Sequence, residues 1–296
     1  MHDSFDVSRT VVSRRLEWPL YGTIGLLLVA TAWPLNWALE GARTHLLFFP
    51  LWLGFILTVD AAVRRRIGTS LIARAGNLFP VFFLASIPLW WLFEVLNART
   101  DNWQYLSAGR FGTVEYAILA SLAFSTVIPA VLEASELMNT FNWARRIRQG
   151  WRFPSARSSA PFLFAAGWLM LAAVLLWPDQ CYPLLWGSLY ALIDPVNVWL
   201  GRRSILARLE RGDWSLLVTL SAGTLLCGFF WELWNIYSMP KWTYRTPGVE
   251  FWHIFEMPLL GYLGYIPFGW EVYAFIQLVL PDRIARAIRV RPDGVV

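Results

Sequence analysis

The stretch Trp231-Glu232-Leu233-Trp234-Asn235, followed by Lys241-Trp242-Thr243-Tyr244, restates an earlier one, Phe93-Glu94-Val95-Leu96-Asn97 followed by Asn102-Trp103-Gln104-Tyr105. Glu, Asn, Trp and Tyr recur at offsets of 138 and 139. Working outward, Leu51-Trp52, Asp60 and Ser70-Leu71-Ile72-Ala73-Arg74 match Leu185-Trp186, Asp194 and Ser204-Ile205-Leu206-Ala207-Arg208 at an offset of 134. Pro129 with Glu133 matches Pro267 with Glu271 at 138, and Trp33-Pro34 pairs more loosely with Trp177-Pro178. Such agreement at near-constant spacing is the mark of an internal duplication. It divides the chain into residues 1–150 and 151–296.

Composition says what kind of duplication this is. Of 296 residues, 57% are hydrophobic and 15% charged, against about 25% charged in soluble domains, so a soluble globule is excluded. The 20 Phe and 19 Trp argue equally against disorder. Two cysteines and three histidines leave no material for a disulfide framework, a Cys-rich metal site or haem ligation, and no metal or cofactor is expected. A bilayer core needs about 20 mostly apolar residues per helix. Eight segments qualify: Trp18 to Leu39, Leu46 to Val63, Leu78 to Leu96, Phe111 to Leu137, Pro161 to Trp177, Pro183 to Leu200, Trp214 to Ile236 and Trp252 to Leu280. The last is too long for one straight helix, and its prolines and glycines predict a kink or break near Pro267. Four spans per half keep both halves in one orientation. The expected architecture is therefore an all-α polytopic membrane protein of eight transmembrane helices in two parallel four-helix repeats.

Basic residues orient the chain. Twenty of the 25 Lys and Arg lie at the termini and in the even-numbered loops; the odd loops hold only Arg43, Arg99, Arg110, Lys241 and Arg245. By the positive-inside rule both termini are cytoplasmic, in a cell (inner) membrane. The high positive charge then reads as topology and contact with anionic lipid, and nucleic acid is not a partner. Arg14-Arg15 before an apolar run imitates a signal peptide, but the run continues through Trp33-Pro34-Leu35 to full span length and is read as the first helix.

Carboxylates inside spans are expensive and mark functional sites by default. Glu94 and Glu232 fall near the outer ends of spans three and seven, Glu133 and Glu271 deeper in spans four and eight, and Glu256 at the start of span eight. Asp60 and Asp194, beside arginines at inner ends, are expected to form interfacial salt bridges. Glu232 and Asn235 share a helix face, and His253 and Glu256 repeat that spacing at the start of span eight. The first half lacks the latter pair, so the second half is expected to carry the chemistry. Candidate catalytic residues are Glu232, Glu256 and Glu271. Candidate substrate contacts are Asn235, Trp242, Tyr244, His253 and Trp270, with Glu94 and Asn97 from the first half. The competing reading is structural: E-x-x-N and W-x-Y elements also serve as polar helix glue and interfacial anchors.

Aromatic faces beside buried acids suit a carbocation reaction. A carboxylic acid protonates an alkene, and ring faces stabilise the cation. Signatures of nucleotide, zinc-hydrolase and serine-hydrolase chemistry are absent from the sequence.

The elements Trp231-Glu232-Leu233-Trp234-Asn235, Lys241-Trp242-Thr243-Tyr244 and Ile266-Pro267-Phe268-Gly269-Trp270-Glu271-Val272-Tyr273 resemble the small, flavin-independent integral-membrane lycopene cyclases. That family has an acid and a W-x-Y element near a membrane surface, followed by a proline-led acidic motif. It places adjacent carboxylates directly after the proline, whereas here a single Glu271 follows Pro267 at four residues. The resemblance implies proton-initiated cyclisation or isomerisation of an isoprenoid or carotenoid end group, with membrane lipid and a hydrophobic small molecule as partners. A proton-coupled transporter or lipid-handling protein, and a scaffold subunit of a membrane complex or homo-oligomer, are the alternatives. For orientation, reporter fusions after Trp151 and Gly212 are expected to be cytoplasmic and one after Tyr105 external; the opposite pattern would overturn the span count.

Overall fold

Each duplicated segment ends a helix and begins a short extended piece, because the sequence terminates the helix there. In the computed structural model, which describes residues 17–39 and 44–288, the long helices are α1 (Leu20–Ala38), α2 (Phe48–Ile67), α3 (Pro80–Thr100), α4 (Thr113–Phe124), α5 (Val127–Asn139), α6 (Ala156–Leu176), α7 (Leu185–Trp199), α8 (Ser215–Asn235) and α9 (Tyr265–Val279). Four short strands accompany them: β1 (Trp103–Leu106), β2 (Lys241–Tyr244), β3 (His253–Ile254) and β4 (Met257–Pro258). Of the basic residues counted for orientation, Arg9, Arg14, Arg15, Arg43, Arg289 and Arg291 lie outside the described residues.

The chain is mostly helical. Among the described residues, four helical segments are long and apolar enough to cross a membrane: α3, α4 with α5 as one 27-residue stretch, α6 and α8. The other expected spans are helices of a different kind. α2 carries Asp60 and ends on Arg64-Arg65-Arg66, whereas α7 and α9 have 15 residues each. The segment Trp252 to Leu280 is not one helix. Residues His253–Pro258 form the β3–β4 hairpin, Leu259–Gly264 a 3-10 turn, and only then does α9 begin. Pro267 consequently sits in the first turn of α9, where its missing N–H costs no hydrogen bond. The kink expected there is a helix start.

The fourth expected span also divides, at Ser125–Thr126 between α4 and α5. The Ser86 hydroxyl enters the broken ladder, donating to Phe124 O (2.5 Å) and accepting from Ile128 N (3.0 Å). Both groups would otherwise be left unpaired in a dry interior.

Matched sequence carries matched bonding. Ser70 and Ser204 cap the short helices Leu71–Ala75 and Ile205–Glu210, each accepting from the backbone N–H three residues on. Asp60 accepts from Ile72 N and Asp194 from Ile205 N and Leu206 N. These aspartates therefore serve as backbone acceptors; neither forms an ion pair among the described residues, contrary to the expected salt bridges. The reason is burial: both are fully shielded, and N–H groups at a helix start neutralise a carboxylate more cheaply than an arginine drawn inward.

α1 packs on α2 and α6 on α7; α2 and α3 pack on α5, α7 and α8 on α9, and α8 crosses to α5. The α1–α2 contact is close because Gly25 and Gly54 face each other: a Cβ on Gly25 would lie 2.8 Å from Gly54 O. Trp52 lies between Trp231 and Trp234, ring centroids 5.0 Å from each, and Asn36 Nδ2 donates to Trp234 O at 3.0 Å.

The two halves join through backbone. β1 pairs antiparallel with β2 in the register Trp103↔Tyr244, Gln104↔Thr243, Tyr105↔Trp242, Leu106↔Lys241. Alternation puts Trp103, Tyr105, Trp242 and Tyr244 on one face of the ribbon. In a background lacking Cys181 and Cys227, the pair Gln104→Cys with Thr243→Cys is expected to form a disulfide on oxidation, since cross-strand partners stand about 5 Å apart. Gln104→Cys with Lys241→Cys should not; equal cross-linking of both pairs would refute the register.

Candidate functional site

The inward face of the β1–β2 ribbon roofs an apolar cavity of about 430 Å³. Its walls come from both halves: Trp90, Trp103 and Tyr105 from the first, and Trp186, Trp231, Trp242, Tyr244 and Tyr265 from the second. Phe124 on α4 and Met257 and Leu260 around the β3–β4 hairpin contribute apolar contacts. Such a concavity, mostly aromatic with few polar groups, is the ordinary form of a small-molecule site.

Behind these rings stand the two duplicated acids. Glu94 Oε1 accepts from Trp90 Nε1 (2.9 Å), Trp103 Nε1 (3.1 Å) and Tyr105 Oη (2.7 Å). Glu232 Oε1 accepts from Tyr244 Oη (2.6 Å) and Tyr265 Oη (2.8 Å), and Tyr244 Oη in turn accepts from Trp242 Nε1 (2.7 Å). Burial first, and then the neighbouring acid, pushes the phenols of Tyr105 and Tyr244 well above their ordinary range. Both remain neutral donors across the physiological range.

The two acid clusters differ at one point. Trp90 has Gly228 as its counterpart at the duplication's offset of 138. The Tyr265 ring occupies the room that Gly228 leaves, so that a Cβ there would strike the ring carbons. Glu94 is only partly buried, whereas Glu232 is fully buried and its second oxygen, Oε2, has no hydrogen-bond partner. Neither acid is ion-paired among the described residues.

The asparagines hold the strands. Asn97 donates through Nδ2 to Trp103 O (2.7 Å) while its Oδ1 accepts from Asn102 N and Trp103 N. Asn235 likewise donates to Trp242 O (2.7 Å) and accepts from Trp242 N (2.9 Å). They position the site and do not line it.

The structure therefore brings together Glu94, Asn97, Glu232, Asn235, Trp242 and Tyr244, and separates the remaining candidates from them. Glu256 lies in the hairpin turn and pairs with Lys241 Nζ at 2.5 Å. His253 is exposed on β3. The helix face expected to unite them does not exist, because residues 253–258 are extended. Glu271 is fully buried in α9 with both oxygens unpartnered, as is Glu133 in α5, but neither lines the cavity. Trp270 donates to Leu217 O and Ser221 Oγ and packs on Tyr190, joining α9 to α8 and α7. Sequence reasoning missed Tyr265, Trp90 and Trp186 as site residues. Tyr105 carried a signal, being the duplication partner of Tyr244. Cys181 and Cys227 are both free.

No protein-family model, no curated protein and no solved structure matches this chain. The site thus stands on its own geometry. Gly228→Ala is expected to push Tyr265 from Glu232 and to lower stability by about 1–3 kcal/mol, as overpacking does, read as a lower thermal midpoint in detergent. Gly109→Ala, at an exposed glycine where an added Cβ meets nothing, is the control; an equal shift in the two variants would refute the role of Tyr265 packing.

Proposed function

We propose that this chain is an integral membrane enzyme that protonates an unsaturated, isoprenoid-like substrate in the aromatic cavity and lets it cyclise or isomerise. The observation that carries this reading is Glu232: a fully buried carboxyl with one oxygen bonded to two cavity-lining phenols and the other unpartnered. In this reading the hydroxyl hydrogen of Tyr244 or Tyr265 first turns from Glu232 Oε1 toward the cavity; the phenol then gives that proton to a substrate C=C and takes one from the protonated Glu232, leaving a tertiary cation. The π faces of Trp103, Trp186, Trp231 and Trp242 stabilise that charge without bonding to it. A second C=C closes on the cation, and loss of the adjacent proton to the same phenol–carboxyl pair restores the acid. Atoms and electrons balance within the substrate, so the product is an isomer.

Glu94, with three donors on one oxygen, is the supporting counterpart. The proposal keeps the relation to the small integral-membrane lycopene cyclases, with Glu232 in place of the acidic element after Pro267. It also takes the chain as eight crossings in two parallel repeats with both termini cytoplasmic, which puts the ribbon and cavity at the outer face of a cell membrane. Helices α2, α7 and α9, shielded by their neighbours, would cross as inner members of the bundle.

Glu232→Gln keeps the shape and most hydrogen bonding but removes the transferable proton. It is expected to lower turnover by about 100-fold or more, the usual worth of a general acid, while substrate still binds. Glu256→Gln and Glu271→Gln should leave turnover within a few-fold of the unmodified chain. Full activity of Glu232→Gln in an assay of a cyclised or isomerised isoprenoid would sink the proposal. Loss of proton-driven substrate exchange in its place would favour the transporter.

A further inference from the structure

One edge of the cavity is formed by the segment that follows the β3–β4 hairpin. Leu259–Gly264 is a 3-10 turn, in which residues three apart lie in one row. Gly261 and Gly264 form one such row. A Cβ on Gly261 would strike the Met257 side chain, one on Gly264 would lie 3.1 Å from the Trp186 ring, and Met257 and Trp186 both line the cavity. Leu260 and Leu263 form the next row. They border the cavity as well, yet 43% and 57% of their surface is exposed. A side chain that is both wall and surface stands at a mouth.

Helix lengths give the depth of this region. α4 begins the 27-residue apolar stretch that is long enough to cross a membrane. Leu119, Ala120 and Ala123 on one side of it line the cavity, whereas Val114, Ile118 and Leu122 on the other are exposed. At about 1.5 Å per residue, the lining from Tyr116 to Phe124 falls within about the first 16 Å of that stretch, roughly half of a bilayer core. On α8, also long and apolar enough to cross, the exposed Phe229 stands about 9 Å from the helix end and packs on Phe255 of the hairpin, ring centroids 5.7 Å apart. Ile254 and Leu259 are exposed as well. Apolar side chains left bare beside a membrane-length helix are covered by hydrocarbon, not water. The backbone here is closed as hydrocarbon requires: Leu259 N donates to Trp252 O at 2.9 Å and Tyr262 Oη to Ile254 O at 3.1 Å. Among the described residues, no Asp, Glu, Lys or Arg lines the cavity.

We propose that the cavity opens sideways, past Leu260 and Leu263, into the leaflet at the ribbon's end of the bundle, and that its occupant is an uncharged hydrocarbon chain arriving from the bilayer. Such a chain passes from one apolar phase to another without crossing water, and no charged wall residue has to be desolvated to admit it. This rests on the reading of the cavity as a ligand site and adds the ligand's source and class: a chain dissolved in the membrane, not a solute taken from water.

The test uses the full chain in phosphatidylcholine nanodiscs, in a background lacking Cys181 and Cys227, with a nitroxide attached at Leu263→Cys, at Leu122→Cys on the exposed side of α4, or at Gln104→Cys on the outward face of the ribbon. Collisions with oxygen, which concentrates in hydrocarbon, and with a neutral nickel chelate, which stays in water, are read from saturation of the nitroxide spectrum. Leu263→Cys is expected to follow Leu122→Cys, with oxygen favoured severalfold, and Gln104→Cys to show the reverse. In discs that contain a phosphatidylcholine with a diazirine at the end of one acyl chain, irradiation of the unmodified chain should label Leu119 and Ala123 as well as Leu122. Excess farnesene should suppress the first two labels severalfold and spare the third. A Leu263→Cys nitroxide that favours the chelate would overturn the sideways mouth, as would labelling confined to Leu122 or labels on Leu119 and Ala123 that farnesene leaves unchanged. The expected labelling from a chain that yields no isomerised product would sink the enzyme reading alone and leave the mouth in place.

Discussion

Everything around the cavity depends on the backbone pairing of β1 with β2. A four-residue strand alone offers unpaired N–H and C=O groups, and neither half contains a partner for its own. Only the other half does. The pairing therefore does three things at once: it satisfies both strands, ties the halves together at one end of the helix bundle, and turns two W-x-Y elements into a single four-ring roof. Asn97 and Asn235 hold each strand against the end of its own helix, which fixes where each strand starts.

Within this near-symmetric frame a single small residue creates the difference between the two acids. Trp90 reaches Glu94 from one turn away on the same helix. At the corresponding place Gly228 has no side chain, and Tyr265 enters from another helix to supply the missing donor. The consequence is chemical. Both acids take their donors from side chains that border the cavity, but Glu94 has two indoles and one phenol and is partly exposed, whereas Glu232 has two phenols and is fully buried with one oxygen unpartnered. The matched segments supply two corresponding carboxyls, and the packing of Tyr265 against Gly228 gives them different surroundings.

The arrangement of helices fits the same logic. α1 and α6 present exposed leucines and phenylalanines, among them Leu26, Leu27, Phe162 and Leu169, as surfaces that hydrocarbon can cover. α2, α7 and α9 pack within the bundle and carry the polar residues, Asp60, Asp194 and Glu271, that lipid would not tolerate. Polar atoms that remain unpartnered, such as those of Glu133 and Glu271, lie in this shielded interior.

Read in one dimension, the chain already shows that it is apolar and helical, and that a carboxyl, an asparagine, a tryptophan and a tyrosine recur together at near-constant spacing. These properties are local or periodic: apolar runs, spacing and identity survive being read in one dimension. Glu232, Asn235, Trp242 and Tyr244 were legible for that reason, as were Glu94 and Asn97. Which of these residues meet is a matter of packing in three dimensions. The β1–β2 pairing joins residues more than a hundred positions apart, and no local pattern encodes a partner on a distant strand. Tyr265 enters the site through space vacated by Gly228, a complementarity of volumes that neither residue announces. His253 and Glu256 share no helix face because residues 253–258 make their backbone hydrogen bonds across a hairpin, whereas Glu271 lies buried in a helix as expected but behind the cavity wall. Periodicity shows which face a residue takes if the helix exists; whether it exists there was settled by packing.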